Sequence, residues 1–412
     1  MSIAKIRSYL AEIDFPCDLT RLPKDAHLVG GSVRDALLGR YKQPLDLDFV
    51  LPEKAIATAK YFANTYGGGF VVLDAEREIA RVVFDGGTLD LARQEGGTLE
   101  IDLQRRDFTL NAIAYNLQSQ ELIDPLDGLA DLERGLLRMV AVENLEDDPL
   151  RLLRAYRQAA QLNLAIDPTT RSAIKARIHL LQNVAAERVQ AELNYLLTAP
   201  AGNEWLMAAI EDGLINFYLP NSDRLNLSKL AAIENGIKFC LAKEISDRSN
   251  LSQSEIVILT QLSALVSTQP DLAEAELTNL KYARTQIKAV TKTVKYLPQL
   301  QQLTQPMSLR EQYFWFLDVR DIMPLLIARA IALDVPRTVI EPLIERYLDP
   351  QDPVAYPRNL VTGNDLIQQL NLKPSPVMGE LLIKIQIAQI ESKVATFDEA
   401  IAFARQWLQA RN

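Results

Sequence analysis

The sequence predicts an α/β head followed by an all-α remainder. Three observations predict it. Short apolar runs dominate up to about residue 140, helical spacing dominates from about 141 onward, and 412 residues exceed what one ordinary core can organise. The runs "AHLVGG", "LDLDFVL", "GFVVL", "IARVVF", "TLDLA" and "LNAIAYNL" have strand length and β-branched or aromatic content. Between them, "EKAIATAKYFANTYG" carries apolar residues at helical intervals. Further on, "DDPLRLLRAYRQAAQLNL", "PTTRSAIKARIHLLQNV" and "AERVQAELNYLLTAP" repeat every three or four residues, and the first two open on Asp, Pro or Thr. No strand is expected beyond about residue 141. Proline-bearing breaks at "LTAPAGNE", "STQPDLAE" and "LDPQDPVAYPRNLVTG" mark boundaries. They divide the chain into a head (1–140), a neck (141–205), a body (206–350) and a tail (351–412).

Composition narrows the function. With 48% hydrophobic and 24% charged residues the chain reads as globular. The start, "MSIAKIRSYLAEIDF", lacks the apolar run of a signal peptide, and no stretch of about 18 apolar residues is present, so no membrane is expected. Cys17 and Cys240 have no metal-type spacing and fit a reduced, cytoplasmic protein. Only His27 and His179 exist, which excludes a multi-histidine metal site such as that of an HD-type phosphohydrolase. A net charge of −9 argues against nucleic acid until the cations are located. They cluster in "RRDF", "RLLRAYR" and "RSAIKAR", a pattern suited to an RNA that is bound weakly and released.

The densest chemistry lies in "GGSVRDALLGRYKQPLDLDFV" (30–50). Gly30 and Gly31 form a turn without Cβ atoms, so backbone N–H groups can approach an anion. The helix that follows favours negative charge at its start, Ser32 adds a hydroxyl, and Arg34 can meet two phosphate oxygens. In "DLDFVL" the strand period of two sets Asp46 and Asp48 on one face with Leu47 on the other. Two carboxylates so placed repel unless a cation lies between them, and Mg²⁺ takes such oxygens together with phosphates. The spacing is neither a dinucleotide fingerprint nor a P-loop.

On these residues the sequence resembles class II tRNA nucleotidyltransferases and the related bacterial poly(A) polymerases. The likeness continues in order through "RRDFTLNAIAYN", "LIDPLDGLADLERGLLRMV", "DDPLRLLRAYRQAA", "ERVQAELNYLL" and "LVTGNDLIQQLNLKPSPVMGELL". It implies a polymerase β-like nucleotidyltransferase fold for the head, nucleobase selection in the neck, and tRNA binding by the body and tail. It further implies two Mg²⁺ ions on Asp46 and Asp48, with Asp90 in "TLDLA" a candidate third carboxylate that could equally be structural. The triphosphate would lie on Gly30, Gly31, Ser32 and Arg34, and the sugar and phosphate on Arg106 and Asp107. Asp148 and Arg151 would read the base, with Arg154 and Arg157 farther along the same helix. The expected partners are tRNA (acceptor arm and elbow), CTP and, for full CCA addition, ATP.

Helix geometry sharpens the base-reading assignment. Asp148, Arg151 and Arg154 are spaced by three and are neighbours on a helix surface. Each step turns about 60°, so Arg157 has swung away from Asp148 and suits phosphate better than base. An ionised Asp only accepts hydrogen bonds and Arg only donates. Cytosine and adenine each present an amino donor beside a ring-nitrogen acceptor, whereas uracil and guanine reverse that pattern. The pair can therefore select C and A with no nucleic-acid template.

One departure from the family pattern points to a narrower activity. Only "LARQEGGTLEI" separates Asp90 from Asp102, where full CCA-adding members carry a longer flexible segment. The short form resembles members that add only two cytidines, after which a separate enzyme adds A. The rival readings are a bacterial poly(A) polymerase, a catalytically idle RNA-binding protein and a small-molecule nucleotidyltransferase. Arg171, Lys175, Arg177 and Arg188 are expected either to contact tRNA or to form a solvated face.

Overall fold

Alternating apolar residues build a seven-stranded mixed sheet in the first of two units, which part between Leu214 and Ile215. The structure is a computed structural model that describes residues 3–13, 15–40, 44–373 and 375–411. The first unit opens with α1 (Ile3–Glu12), β1 (His27–Val29), α2 (Gly31–Leu38), β2 (Leu45–Leu51) and α3 (Ala55–Tyr66). A hairpin region follows, of β3 (Gly69–Asp74), β4 (Ile79–Phe84) and β5 (Gly87–Arg93), then α4 (Leu99–Gln104), β6 (Ala114–Asn116) and β7 (Leu122–Ile123). The sheet order is β3-β4-β5-β2-β1-β6-β7. Only β2 and β5 run parallel; the other neighbours are antiparallel. Each expected strand is present. Leu45, Leu47 and Phe49 of β2 are buried, so the pleat turns Asp46 and Asp48 to the opposite face.

The same unit continues through α5 (Gly128–Arg134), β8 (Leu136–Leu137), α6 (Val142–Asp147) and α7 (Leu150–Leu162). It ends with β9 (Ala165–Ile166), α8 (Pro168–Arg177), α9 (Ala186–Leu197) and α10 (Gly202–Glu211). The expectation of no strand after residue 141 is corrected by β9, which pairs in parallel with β8 through Leu136–Ala165 and Leu137–Ile166. A two-residue strand has no period to read. Helix α7 buries Leu152, Leu153, Tyr156, Ala159 and Ala160. Asp167 caps α8 by accepting from the Thr170 amide, as its position before Pro168 suggests. The expected 205/206 division falls inside α10. Asp212, just beyond that helix, accepts from Tyr156 Oη at 2.5 Å and Arg171 Nε at 2.6 Å, which holds the end of α10 to α7 and α8.

The second unit is helical: α11 (Leu227–Ala242), α12 (Gln253–Leu265), α13 (Pro270–Asn279), α14 (Arg284–Gln302), α15 (Leu309–Val319), α16 (Met323–Ala332) and α17 (Arg337–Leu348). It closes with α18 (Gly363–Leu370), α19 (Pro376–Ile390) and α20 (Phe397–Arg411). Helices α11 and α16 pack backbone to backbone at Gly236. A Cβ there would stand 2.1 Å from the Ala328 carbonyl oxygen, so only glycine fits. Leu366, Leu381, Ile385, Ala400 and Ala404 form a core among the last three helices. Among the described residues, no helix is long and apolar enough to cross a membrane.

Candidate active site

Parallel pairing of β2 with β5 sets Asp48 beside Asp90 and Asp46 beside Thr88. Asp46, Asp48 and Asp90 offer carboxylate oxygens that all lie within 4.8 Å of one another. Burial, then the charges of Asp46 and Asp90, push the Asp48 carboxyl up to about 7, against the pull of Arg106 and Arg81. Three carboxylates gathered this closely are matched by a divalent cation with oxygen ligands. Arg81, opposite Asp90 on β4, grips that carboxylate with both prongs, Nε to Oδ1 at 2.8 Å and Nη2 to Oδ2 at 2.7 Å. The Thr88 hydroxyl donates to Asp46 Oδ1. Asp90 thus belongs to the acidic group, with both oxygens engaged by Arg81.

The glycine turn abuts this face. Gly30 adopts φ +71° and ψ −135°, a conformation costly for any L side chain, and a Cβ there would lie 3.2 Å from Arg106 Nη1. Gly31 opens α2. Ser32 Oγ donates to the Asp46 carbonyl at 2.7 Å, latching the turn to the acidic strand. Arg34 differs from a phosphate clamp open to solvent, because it is buried and its donors are engaged. Its Nε donates to Asp35 at 2.9 Å, and its Nη1 donates to Asn111 Oδ1 at 2.6 Å and Gln158 Oε1 at 3.3 Å. Its guanidinium still lies against the turn, since a Cβ on Gly31 would be 3.4 Å from Nη2.

Arg34 leads into a buried polar network that the sequence did not reveal as one object. Asn111 Nδ2 donates to Asp107 Oδ1 at 2.8 Å and to Gln158 Oε1 at 3.0 Å. Asp107 also accepts from the Phe108 amide at 2.8 Å and pairs with Arg154 at 3.6 Å. Burial alone would raise the Asp107 carboxyl, yet Arg154 and these hydrogen bonds hold it below the ordinary range. Arg154 and Arg157 both reach Glu192 of α9, at 3.3 and 2.5 Å. Arg157 also donates to Gln161 at 2.7 Å. Arg157 thus ties α7 to α9. Asn111 lies inside "RRDFTLNAIAYN" and Gln158 inside "DDPLRLLRAYRQAA", two turns along α7 from Arg151.

A cleft of about 460 Å³ is lined by Asp102, Arg105, Arg106, Asp148, Arg151 and Arg188, among others. Asp148 and Arg151 meet there, but not as helix neighbours. Asp148 is extended (φ −136°, ψ 90°) and caps the end of α6, and α7 begins only at Leu150. Pro149 disfavours helical backbone in the residue before it, which is why the three-residue spacing misreads the element. Instead, the Asp148 carbonyl accepts from the Arg151 amide at 3.0 Å, and Asp148 Oδ1 from the Leu150 amide at 3.3 Å. Arg151 Nη1 donates to the Arg105 and Asn144 carbonyls, both at 3.0 Å. Asn144 in turn donates to the Gln104 and Arg106 carbonyls at 2.8 and 2.7 Å, fixing the strip that carries Arg106. Arg106 donates to Asp102 at 3.0 Å, and Arg188 pairs with Asp148 Oδ2 at 3.0 Å. The other cations proposed for tRNA also find acids: Arg171 and Lys175 pair with Asp212, and Arg177 with Glu146.

Comparison with known proteins places this geometry. A poly A polymerase head-domain model matches residues 26–95 and 90–138, and a tRNA nucleotidyltransferase domain 2 model matches 251–404. The CC-adding tRNA nucleotidyltransferase of Synechocystis sp. is 45% identical, over 97% of this chain and 98% of its own length. The chain belongs to the tRNA nucleotidyltransferase family. The CC-adding tRNA nucleotidyltransferase of Thermus thermophilus is 32% identical, over 98% of this chain and 97% of its own. The fold is shared with the Thermotoga maritima CCA-adding enzyme complexed with tRNA, at TM-score 0.72 and 21% identity over 99% of both chains. The nucleotidyltransferase chemistry and polymerase β-like head expected from the six motifs are both borne out.

Proposed function

We propose that this nucleotidyltransferase adds two cytidines from CTP to the 3′ end of tRNA, in the cytoplasm, and leaves the terminal adenosine to a separate enzyme. The observation that carries the CC-only reading is the connection between β5 and α4, which occupies only residues 94–98. It is a tight turn. Gly96 sits at φ +75°, a Cβ on it would stand 2.1 Å from Ile101 Cγ2, and the Glu95 amide donates to Asp102 Oδ1 at 3.0 Å. A segment pinned in this way offers little lever to reshape the cleft from a pyrimidine to the larger purine, although both share one hydrogen-bond pattern.

The residues then divide the work. Asp46 and Asp48, with Asp90 beside them, would hold two Mg²⁺ ions. Bound there, Mg²⁺ supplies Lewis-acid activation of the RNA 3′-hydroxyl and neutralises the triphosphate. The turn at Gly30 and Gly31, with Ser32 and the Arg34 guanidinium behind it, seats the triphosphate at the start of α2. The 3′-hydroxyl gives its proton to solvent, its oxygen bonds to the α-phosphorus, the bond from that phosphorus to the α–β bridging oxygen breaks, and pyrophosphate leaves. Arg106 and the Asp107 network orient the sugar, while Asp148 accepts from the cytosine amino group and Arg151 donates to its ring nitrogen.

Incubating tRNA that lacks its 3′ end with CTP and ATP, and sizing the product, tests the reading. Growth by two cytidines is expected. Adenylate at the third position would replace CC addition with full CCA addition, and a run of A on unrelated RNA would identify a poly(A) polymerase.

A further inference from the structure

A cavity in the second unit is lined by a half-buried cation, Arg329, whose Nε has no partner among the described residues. Its volume is about 320 Å³, at the low end of small-molecule sites. Leu225, Ile233, Val294, Leu297, Ala332 and Leu333 give it apolar walls. Arg224, Lys229 and Arg329 are its charged lining residues, and among the described residues no acid lines it. Arg329 projects from α16, one residue beyond the Gly236 contact that locks α16 onto α11. Its Nε is sealed from solvent and has no hydrogen-bond partner. Burial, reinforced by the charge of Arg224, pulls the Arg329 guanidinium down to about 10. Arg224 and Lys229 are exposed, and both are held in place by backbone carbonyls. Arg224 donates to Asn221 at 2.8 Å and to Val266, and Lys229 donates to Arg224 at 2.6 Å.

A sealed, unpaired Nε on a half-buried guanidinium carries a desolvation cost, and such a donor is ordinarily paired. A planar fork with free donors matches a carboxylate or phosphate, and the walls match an apolar body. We propose that this cavity is a binding site for a small organic anion, a carboxylate or phosphate monoester whose charged end meets Arg329 and whose apolar part lies against Leu225, Ile233 and Leu297. The site is separate from the nucleotide cleft and independent of how many nucleotides the enzyme adds.

Isothermal titration of the full chain with octanoate, phenyl phosphate and inorganic phosphate tests it. One organic anion should saturate a single site with a Kd below about 1 mM, and inorganic phosphate should bind roughly tenfold more weakly. The organic anion that saturates identifies the head group. Arg329→Met should weaken that binding at least about tenfold, because the guanidinium that meets the anion has been removed. Arg329→Gln repeats the binding measurement should the methionine variant fail to fold. Three results would overturn the proposal: neither organic anion saturates, inorganic phosphate binds equally well, or both variants bind as the wild type does. Loss of tRNA affinity in Arg329→Met without anion binding to the wild type would also overturn it, by making the residue an RNA contact.

Discussion

The acidic face on β2 and β5 and the cleft at the α6–α7 junction are held by different means. At the acidic face, strand register alone brings Asp46, Asp48 and Asp90 together, because parallel pairing puts Asp48 directly beside Asp90. At the cleft, Asp148 and Arg151 owe their positions to a proline, a helix cap and backbone carbonyls from residues 105 and 144. One site is set by a periodic ladder and the other by a set of single contacts. On the proposed assignment, metal chemistry rests on the strand ladder and base selection on a junction whose contacts are made one at a time.

Mutations can break that comparison in order of size. Asp46→Ala should lower single-turnover cytidine incorporation by at least about 10³-fold, as expected when several kcal/mol of metal assistance is lost. Binding of tRNA, followed by filter retention, should stay nearly unchanged; turnover equal to the wild type would remove Asp46 from the site. Arg151→Ala should leave the acidic face intact and instead erode selection. The ratio of kcat/KM for CTP to that for UTP should fall about 10- to 100-fold, corresponding to about 1–3 kcal/mol of base readout. A uniform loss with both nucleotides would make Arg151 a structural residue. Arg188→Ala removes an exposed partner of Asp148 and should change the same ratio by less than about fivefold. A larger change would show that Arg188 itself faces the base.

The same contrast explains what the sequence disclosed. The six strand runs, the glycine turn and the carboxylate pair follow from local periods and from a motif order that is hard to obtain by accident. Asp90 could be named but not weighed, since only the β4 register reveals Arg81 gripping it. The spacing of Asp148 and Arg151 suggested the right neighbourhood for the wrong reason, because Pro149 stops the helix short of Asp148. The sequence could not show that Arg154 and Arg157 share Glu192 of α9, 35 residues after Arg157 in the chain. Pairings over such separations leave no local trace. The cavity around Arg329 belongs to this class too, as its cations come from residues 224, 229 and 329.

The most direct single measurement is a crystal structure of the protein with CTP and Mn²⁺. Anomalous density at Asp46 and Asp48, with the cytosine edge within hydrogen-bond reach of Asp148 and Arg151, is the expected result. Manganese bound elsewhere, or a cytosine seated away from the α6–α7 junction, would contradict the division between the two regions.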